Sequence, residues 1–244
     1  MTAKSSVDSV RLDFISEMHL PFPSLPEQRA LASYFTSLDA QIAASTSRLS
    51  SLKQIKAASL LNMFPQKGET VPRVRFKGFE GEWKDSMLSD FSYSICSGRD
   101  TAHKGIYPLY GSTGIIGTTN KPSYNGAMLL VARVGANAGK LQIINEECGV
   151  SDNTLIIKPN GNISVSWLYY YLVHCNLNHL VYGSGQPLIT GYMLKRIPIL
   201  LGSKKECDEI ASYFTTLDAQ ITLHRERLEK LKQIKAACLE KMFA

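Results

Sequence analysis

The chain has 244 residues, 44% of them hydrophobic, enough apolar material for a buried core and against wholesale disorder. No run of about eighteen apolar residues offers a membrane span, and the polar stretch Met1 to Asp13 lacks the apolar segment of a secretory signal, so a cytoplasmic protein is expected. The net charge of +6 is concentrated in residues 73–203, where twelve basic side chains face eight acidic ones, an excess that suits an acidic partner such as nucleic acid.

Taken in chain order, residues 1–24 are a polar lead-in and residues 25–65 read as one long helix. Pro26 and Glu27 open it, with proline at a helix start where its missing N–H costs nothing, and no Gly or Pro follows until Pro65. Apolar residues recur at three- and four-residue steps at Leu38, Ile42, Leu49, Leu52 and Ile55. Residues 66–72 form a short polar linker ending in Pro72. The texture then changes over 66–203, where Gly is frequent and short apolar runs alternate with turn residues. Met128 to Arg133, Leu141 to Ile144 and Thr154 to Lys158 are predicted strands. Gly105 to Gly117 and Val134 to Lys140 are predicted loops. Ser166 to Leu180 is a predicted helix whose Trp167, Tyr169, Tyr170 and Tyr171 are expected in the core. Residues 204–244 again contain neither Gly nor Pro and carry Leu217, Ile221, Leu228, Leu231 and Ile234 at helical spacing.

The two long helices are copies. Ala32 to Phe64 aligns with Ala211 to Phe243 without a gap, at a constant offset of 179, and 22 of the 33 positions are identical. A helix of about 35 residues is roughly 50 Å long at about 1.5 Å per residue, too long for an ordinary domain helix. Its apolar stripe needs cover, and the copy is the nearest partner, either antiparallel within one chain or between two chains. The expected architecture is therefore α/β: one globular domain flanked by two long homologous helices that form an antiparallel coiled coil.

Catalytic signatures are missing. There is no phosphate-cradling Gly-rich loop with Lys and Ser/Thr, no G-x-S-x-G elbow, and no cofactor-binding glycine loop of the adenine methyltransferase kind. The five histidines lack metal-ligand spacing, and Cys96, Cys148, Cys175, Cys207 and Cys238 are scattered without a C-x-x-C pair, so neither zinc nor a disulfide framework is indicated. Glu82-Trp-Lys84 resembles half of a nuclease motif, yet the segment Leu52 to Pro72 holds no Asp for a second metal ligand. No catalytic residue, metal or cofactor is expected. The rival readings are a small metal-dependent nuclease or hydrolase with a coiled-coil oligomerisation arm, and a scaffold without nucleic-acid contact.

What the loops offer is a surface for duplex DNA, in which cations meet phosphates and polar side chains meet base edges. Lys104, Tyr107, Tyr110, Ser112 and Thr113 fall in one loop, and Asn120 and Lys121 follow. Arg133, Asn137 and Lys140 bracket a second, and Ser184, Gln186 and Thr190 a third. Of these, Lys104, Tyr110, Ser112, Thr113, Asn120, Lys121, Arg133, Asn137, Lys140 and Gln186 are the candidate DNA contacts. Leu38, Ile42, Leu49, Leu52, Leu217, Ile221, Leu228 and Leu231 are the candidate spacer and docking positions.

This organisation resembles the specificity subunits of Type I restriction–modification systems. The resemblance rests on Pro23-Ser-Leu-Pro-Glu-Gln28, on Leu52-Lys-Gln-Ile-Lys-Ala-Ala58 through Met63-Phe64, and on Arg73-Val-Arg-Phe-Lys-Gly-Phe-Glu-Gly-Glu-Trp83. It rests also on Tyr107-Pro-Leu-Tyr-Gly-Ser-Thr-Gly114, Arg133-Val-Gly135 and Gly183-Ser-Gly-Gln-Pro187. It implies a non-catalytic subunit that reads double-stranded DNA through a target-recognition domain. The helix pair would dock methyltransferase (modification) subunits, with a motor–nuclease (restriction) subunit joining the complex. Members of that family usually carry two recognition domains and this chain has room for one, so it resembles a shortened form. Val7 to Met18 looks like the tail of a preceding domain, and a homodimer is one way to restore two reading domains.

Overall fold

The computed structural model describes residues 15–17, 22–180 and 187–242. Most of Val7 to Met18, and both Ser184 and Gln186, lie outside them.

The two long helices form as expected: α1 covers Leu25–Asn62 and α4 covers Lys204–Met242, 38 and 39 residues. Contacts divide the chain into two compact units, one of Met1–Ser47 with Glu226–Ala244 and the other Arg48–Arg225. In the first, Lys235 donates to Asp39 at 2.5 Å and the Tyr34 hydroxyl lies 3.4 Å from Cys238 Sγ, so the helices run antiparallel. In the second, Lys56 donates to Asp218 at 2.5 Å and the hydroxyls of Ser59 and Tyr213 are 2.9 Å apart, again antiparallel. The offset of 179 relates Asp39 to Asp218, Lys56 to Lys235, Tyr34 to Tyr213 and Ser59 to Cys238. The same ion pair and the same tyrosine contact are thus made twice, once in each unit, by duplicated residues.

The pairing settles which apolar residues are covered. Leu38, Leu49, Leu52, Leu217, Ile221 and Leu228 are buried, and Ile42 and Leu231 half-buried. Ile55 and Ile234, expected in the stripe, stay 45% and 39% exposed. The seam repeats every seven residues, through Leu38, Ser45, Leu52 and Ser59 with Ile42, Leu49 and Lys56 between them, and Ile55 lies one position off it.

Within the second unit the linker leads to β1 (Lys84–Met87), β2 (Ser92–Ser97), β3 (Tyr107–Gly111), β4 (Gly114–Thr119), β5 (Ala127–Ala132), β6 (Leu141–Asn145), β7 (Gly149–Val150) and β8 (Thr154–Pro159). After these come α2 (Val165–Cys175), the short α3 (Gly191–Lys195) and β9 (Pro198–Leu201). The strands make a four-stranded antiparallel sheet in the order β2-β8-β5-β6, a three-stranded sheet β4-β3-β7 and a β1-β9 pair. The expected loop Gly105 to Gly117 is instead largely the β3–β4 hairpin, turned at Ser112-Thr113. Its glycines suggested a loop, but Gly114 serves the turn, where its φ of +106° suits a residue without Cβ. The predicted helix Ser166 to Leu180 ends earlier, at Cys175, because Asn176 turns into the left-handed region (φ +49°) before a 3-10 turn at Leu177–Leu180.

Both faces of the four-stranded sheet are buried, which explains its continuous apolar runs. Leu129, Val131, Leu155 and Ile157 face a large core with Trp167, Leu168 and Leu172 of α2. Met128, Leu130, Ile144 and Ile156 face a smaller core with Tyr110 and Val150 of the three-stranded sheet and the adjoining Cys148. The large core also joins the helix pair to the sheet. Phe64, fully buried, stacks on Phe214 at 6.0 Å and meets Trp83 and Tyr171 edge-on. Glu206 is buried at the start of α4, where it accepts from Arg75 Nε (2.5 Å), Arg75 Nη2 (2.8 Å) and Trp83 Nε1 (3.1 Å). The lead-in Arg73 to Trp83 therefore folds around one carboxylate.

Candidate nucleic-acid interface

Several candidate contacts gather at one end of the four-stranded sheet. A small cavity of about 30 Å³ is lined by Ser112, Thr113 and Gly114 of the hairpin turn, by Lys140 and Gln142, and by Thr154. Thr113 and Lys140 are exposed, and Ser112 is half-buried. Arg133 leaves β5 at this end, where its backbone N–H donates to Asn153 (2.9 Å) and its Nη1 lies 3.4 Å from Ser97 Oγ. Asn137 and Lys140 also border an open cleft of about 420 Å³ against Tyr169, Val173 and Asn176 of the α2 end. The Val134 to Lys140 segment is held there by a 3-10 turn, Gly135–Asn137, and by Gly135 N–H donating to Pro187 (3.1 Å).

A second group lies apart. Lys104, Asn120 and Lys121 are exposed beyond the open end of the β3–β4 hairpin, with the whole length of β3, about 13 Å at roughly 3.3 Å per residue, between them and the Ser112-Thr113 turn. They are close to each other because Gly105 presses on the Thr119–Asn120 backbone, and a Cβ there would sit 2.1 Å from the Thr119 carbonyl oxygen.

One expected contact, Tyr110, and one further loop residue, Thr190, are given other roles by the fold. Tyr110 is 4% exposed, inside the smaller core, and its hydroxyl donates to Glu146 at 2.5 Å. Burial, then that bond, pushes its pKa up to about 12. It is a core residue, because it sits on the face of β3 turned to the four-stranded sheet. Thr190 accepts from Met193 N–H at 3.2 Å and caps α3. Gln186 lies outside the described residues.

Other side chains at this end escaped the sequence reading. Ser97 and Gln142 lie in strands rather than Gly-rich loops, so composition did not mark them. Ser151 and Thr154 are 7% and 1% exposed, with side-chain oxygens that have no hydrogen-bond partner among the described residues. Asp100 organises the neighbouring turn, accepting from Ser123 Oγ (2.5 Å) and from Val150 N–H (2.9 Å). Among the described residues no three His, Cys, Asp or Glu side chains gather as a metal site. The thiols of Cys148, Cys175 and Cys207 are pushed up to about 11, 12 and 12 by burial, which keeps them protonated and un-nucleophilic.

A duplicated helix pair with one α/β domain between the copies, and cationic and polar side chains at one sheet end, is the arrangement of a binding protein rather than of a metal-site enzyme. Residues 80–233 match the Type I restriction modification DNA specificity domain, and the chain belongs to that family. It is 25% identical over 176 residues to the Type I restriction enzyme EcoprrI specificity subunit of Escherichia coli, spanning 68% of this chain and 42% of that protein's length. Its fold is similar to the S subunit of a Type I restriction-modification system from M. genitalium, with a TM-score of 0.63 and 17% identity over 96% of this chain and 66% of that one. It is similar also to the HsdS subunit from Thermoanaerobacter tengcongensis, with a TM-score of 0.62 and 18% identity over 99% of this chain and 64% of that one.

Proposed function

We propose that this chain is a non-catalytic specificity component that reads one half-site of duplex DNA through its α/β domain and docks methyltransferase subunits through its helix pair. The observation that carries the reading is the convergence of Thr113, Arg133, Asn137 and Lys140 on one end of the sheet, in a chain of the DNA-specificity family. Cations for phosphates and polar groups for base edges are what duplex recognition requires. The helix pair acts as a spacer. Its antiparallel contacts are repeated at duplicated positions, so the seam is held at both ion pairs. Methylation, translocation and cleavage would belong to the modification and motor–nuclease subunits, and the assembly would work in the cytoplasm.

The duplication supports a homodimer as the working form. In the second unit Glu206, Ile210 and Phe214 are buried beneath the α/β domain. Their copies in the first unit are Glu27, Leu31 and Phe35. Glu27 is exposed and the other two are half-buried. These copies suit a second α/β domain of the same kind, and a second copy of the chain is the nearest source of one.

Light scattering on the chain, alone and with its cognate methyltransferase subunit, tests both parts. A dimer that takes up two methyltransferase subunits supports the two-sided reader. A monomer that takes up one refutes the dimer and leaves a half-site reader, and no uptake refutes docking.

A further inference from the structure

We infer that Arg133 is a specificity-determining residue, reading the major-groove edge of one guanine. This rests on the DNA-reading function proposed above and assigns one base contact within it.

Two other cations of the same unit that are largely withdrawn from solvent are neutralised. Arg75 holds Glu206 and Lys56 holds Asp218. Arg133 is half-buried, yet it takes part in no salt bridge among the described residues. Among the described residues its Nη1 meets only neutral acceptors at the limit of hydrogen-bonding distance, Ser97 Oγ at 3.4 Å and the Asp152 carbonyl at 3.5 Å. Its Nε is buried, and among the described residues neither Nε nor Nη2 has a partner. A guanidinium stays charged and is costly to desolvate unmatched, so the Nη1–Nη2 edge is set for a further, better-matched acceptor.

That acceptor is a base edge rather than a phosphate, because of how the side chain is rooted. Arg133 directly follows Met128–Ala132, which are at most 4% exposed. Both of its backbone groups are engaged, the N–H to Asn153 and the carbonyl by Ile189 N–H, each at 2.9 Å. The root cannot slide along a groove to follow a phosphate. Exposed lysines with flexible stems, Lys140 and Lys121, are better suited to that. A rigid planar fork is the donor that matches the paired O6 and N7 acceptors of guanine.

The test uses the full chain, with its methyltransferase subunit, against a random duplex library. Wild type should select a motif containing a G·C pair that Arg133→Lys no longer distinguishes. Discrimination at that one position should fall by roughly five- to 150-fold, the range of one bidentate contact. Lysine keeps the charge, so the salt dependence of binding should not change, and an unchanged melting curve shows that the variant is folded. Replacing the guanine with 7-deazaguanine should weaken wild type and add nothing to the variant's loss. A uniform loss across sequences makes Arg133 a phosphate contact and overturns the inference. So does an unchanged motif, which makes it structural. If wild type selects no motif at all, it is the DNA-reading function that fails, and Arg133 with it.

Discussion

Phe214 and Phe35 occupy the same position in two copies of one sequence, Ala-Ser-Tyr-Phe-Thr, so substituting each isolates the effect of tertiary context. Helix propensity and local neighbours are matched, and only cover differs. Phe214 is 0% exposed and packs on Tyr170 at 4.9 Å and Phe64 at 6.0 Å between ring centroids. Phe214→Ala should cost about 3–5 kcal/mol, the usual range for a buried phenylalanine. For a unit of this size that lowers the melting temperature by roughly 6–20 °C, at about 2–4 °C per kcal/mol. Phe35 is half-buried and its ring meets Tyr34 edge-on at 5.5 Å, so Phe35→Ala should cost only about 1 kcal/mol in the dilute chain. Guanidinium unfolding followed by circular dichroism, at low and high protein concentration, measures both. Equal losses at low concentration refute the argument that the α/β domain, rather than the helix itself, stabilises the buried copy. A Phe35→Ala loss that grows with concentration is expected if a second domain covers that site.

Other outcomes follow from the same contacts. Arg75→Met leaves the buried Glu206 carboxylate unmatched and should cost about 3–5 kcal/mol, and adding Glu206→Leu should recover much of it; a single-variant loss under about 1 kcal/mol in urea refutes the account. Leu52→Asp with Leu231→Asp puts charge into the helix seam, where Leu52 is 2% exposed, and should abolish methyltransferase binding in a pull-down while the sheet keeps its amide protection. Normal assembly by that variant sinks the docking role. Tyr110, pushed up to about 12, must stay neutral when folded, so its contribution is complete below pH 10 and is lost as pH rises from 10 to about 12. Tyr110→Phe should therefore flatten the alkaline loss of stability, and coincident stability–pH curves would count against the buried Tyr110–Glu146 bond.

Much of this architecture is legible in the sequence by itself. The offset of 179 and the helical spacing determine two homologous helices, because a repeated apolar stripe of that length must be covered and its copy is available. The apolar runs of β5 and β8 and the aromatic segment of α2 read correctly as core, since hydrophobic patterning is a local property. The hairpin at Tyr107–Thr119 did not, because its glycines look alike whether they make a loop or fit between strands. Tertiary structure alone decided the rest. Tyr110 and Lys104 both lie in a polar, Gly-rich stretch, yet the pleat of β3 turns Tyr110 into the core, while Lys104, three residues before the strand, stays in solvent. Ser97, Gln142 and Thr154 reach the sheet end only because the last residue of β2 and the first residues of β6 and β8 are brought level there by strand pairing. Arg133 is set apart from the other arginines by what surrounds it, and the partners that withhold a counter-charge lie 36 and 19 residues away in the chain. Burial and charge compensation are sums over neighbours distant in sequence, so the type of a residue proposes a role and the fold assigns it.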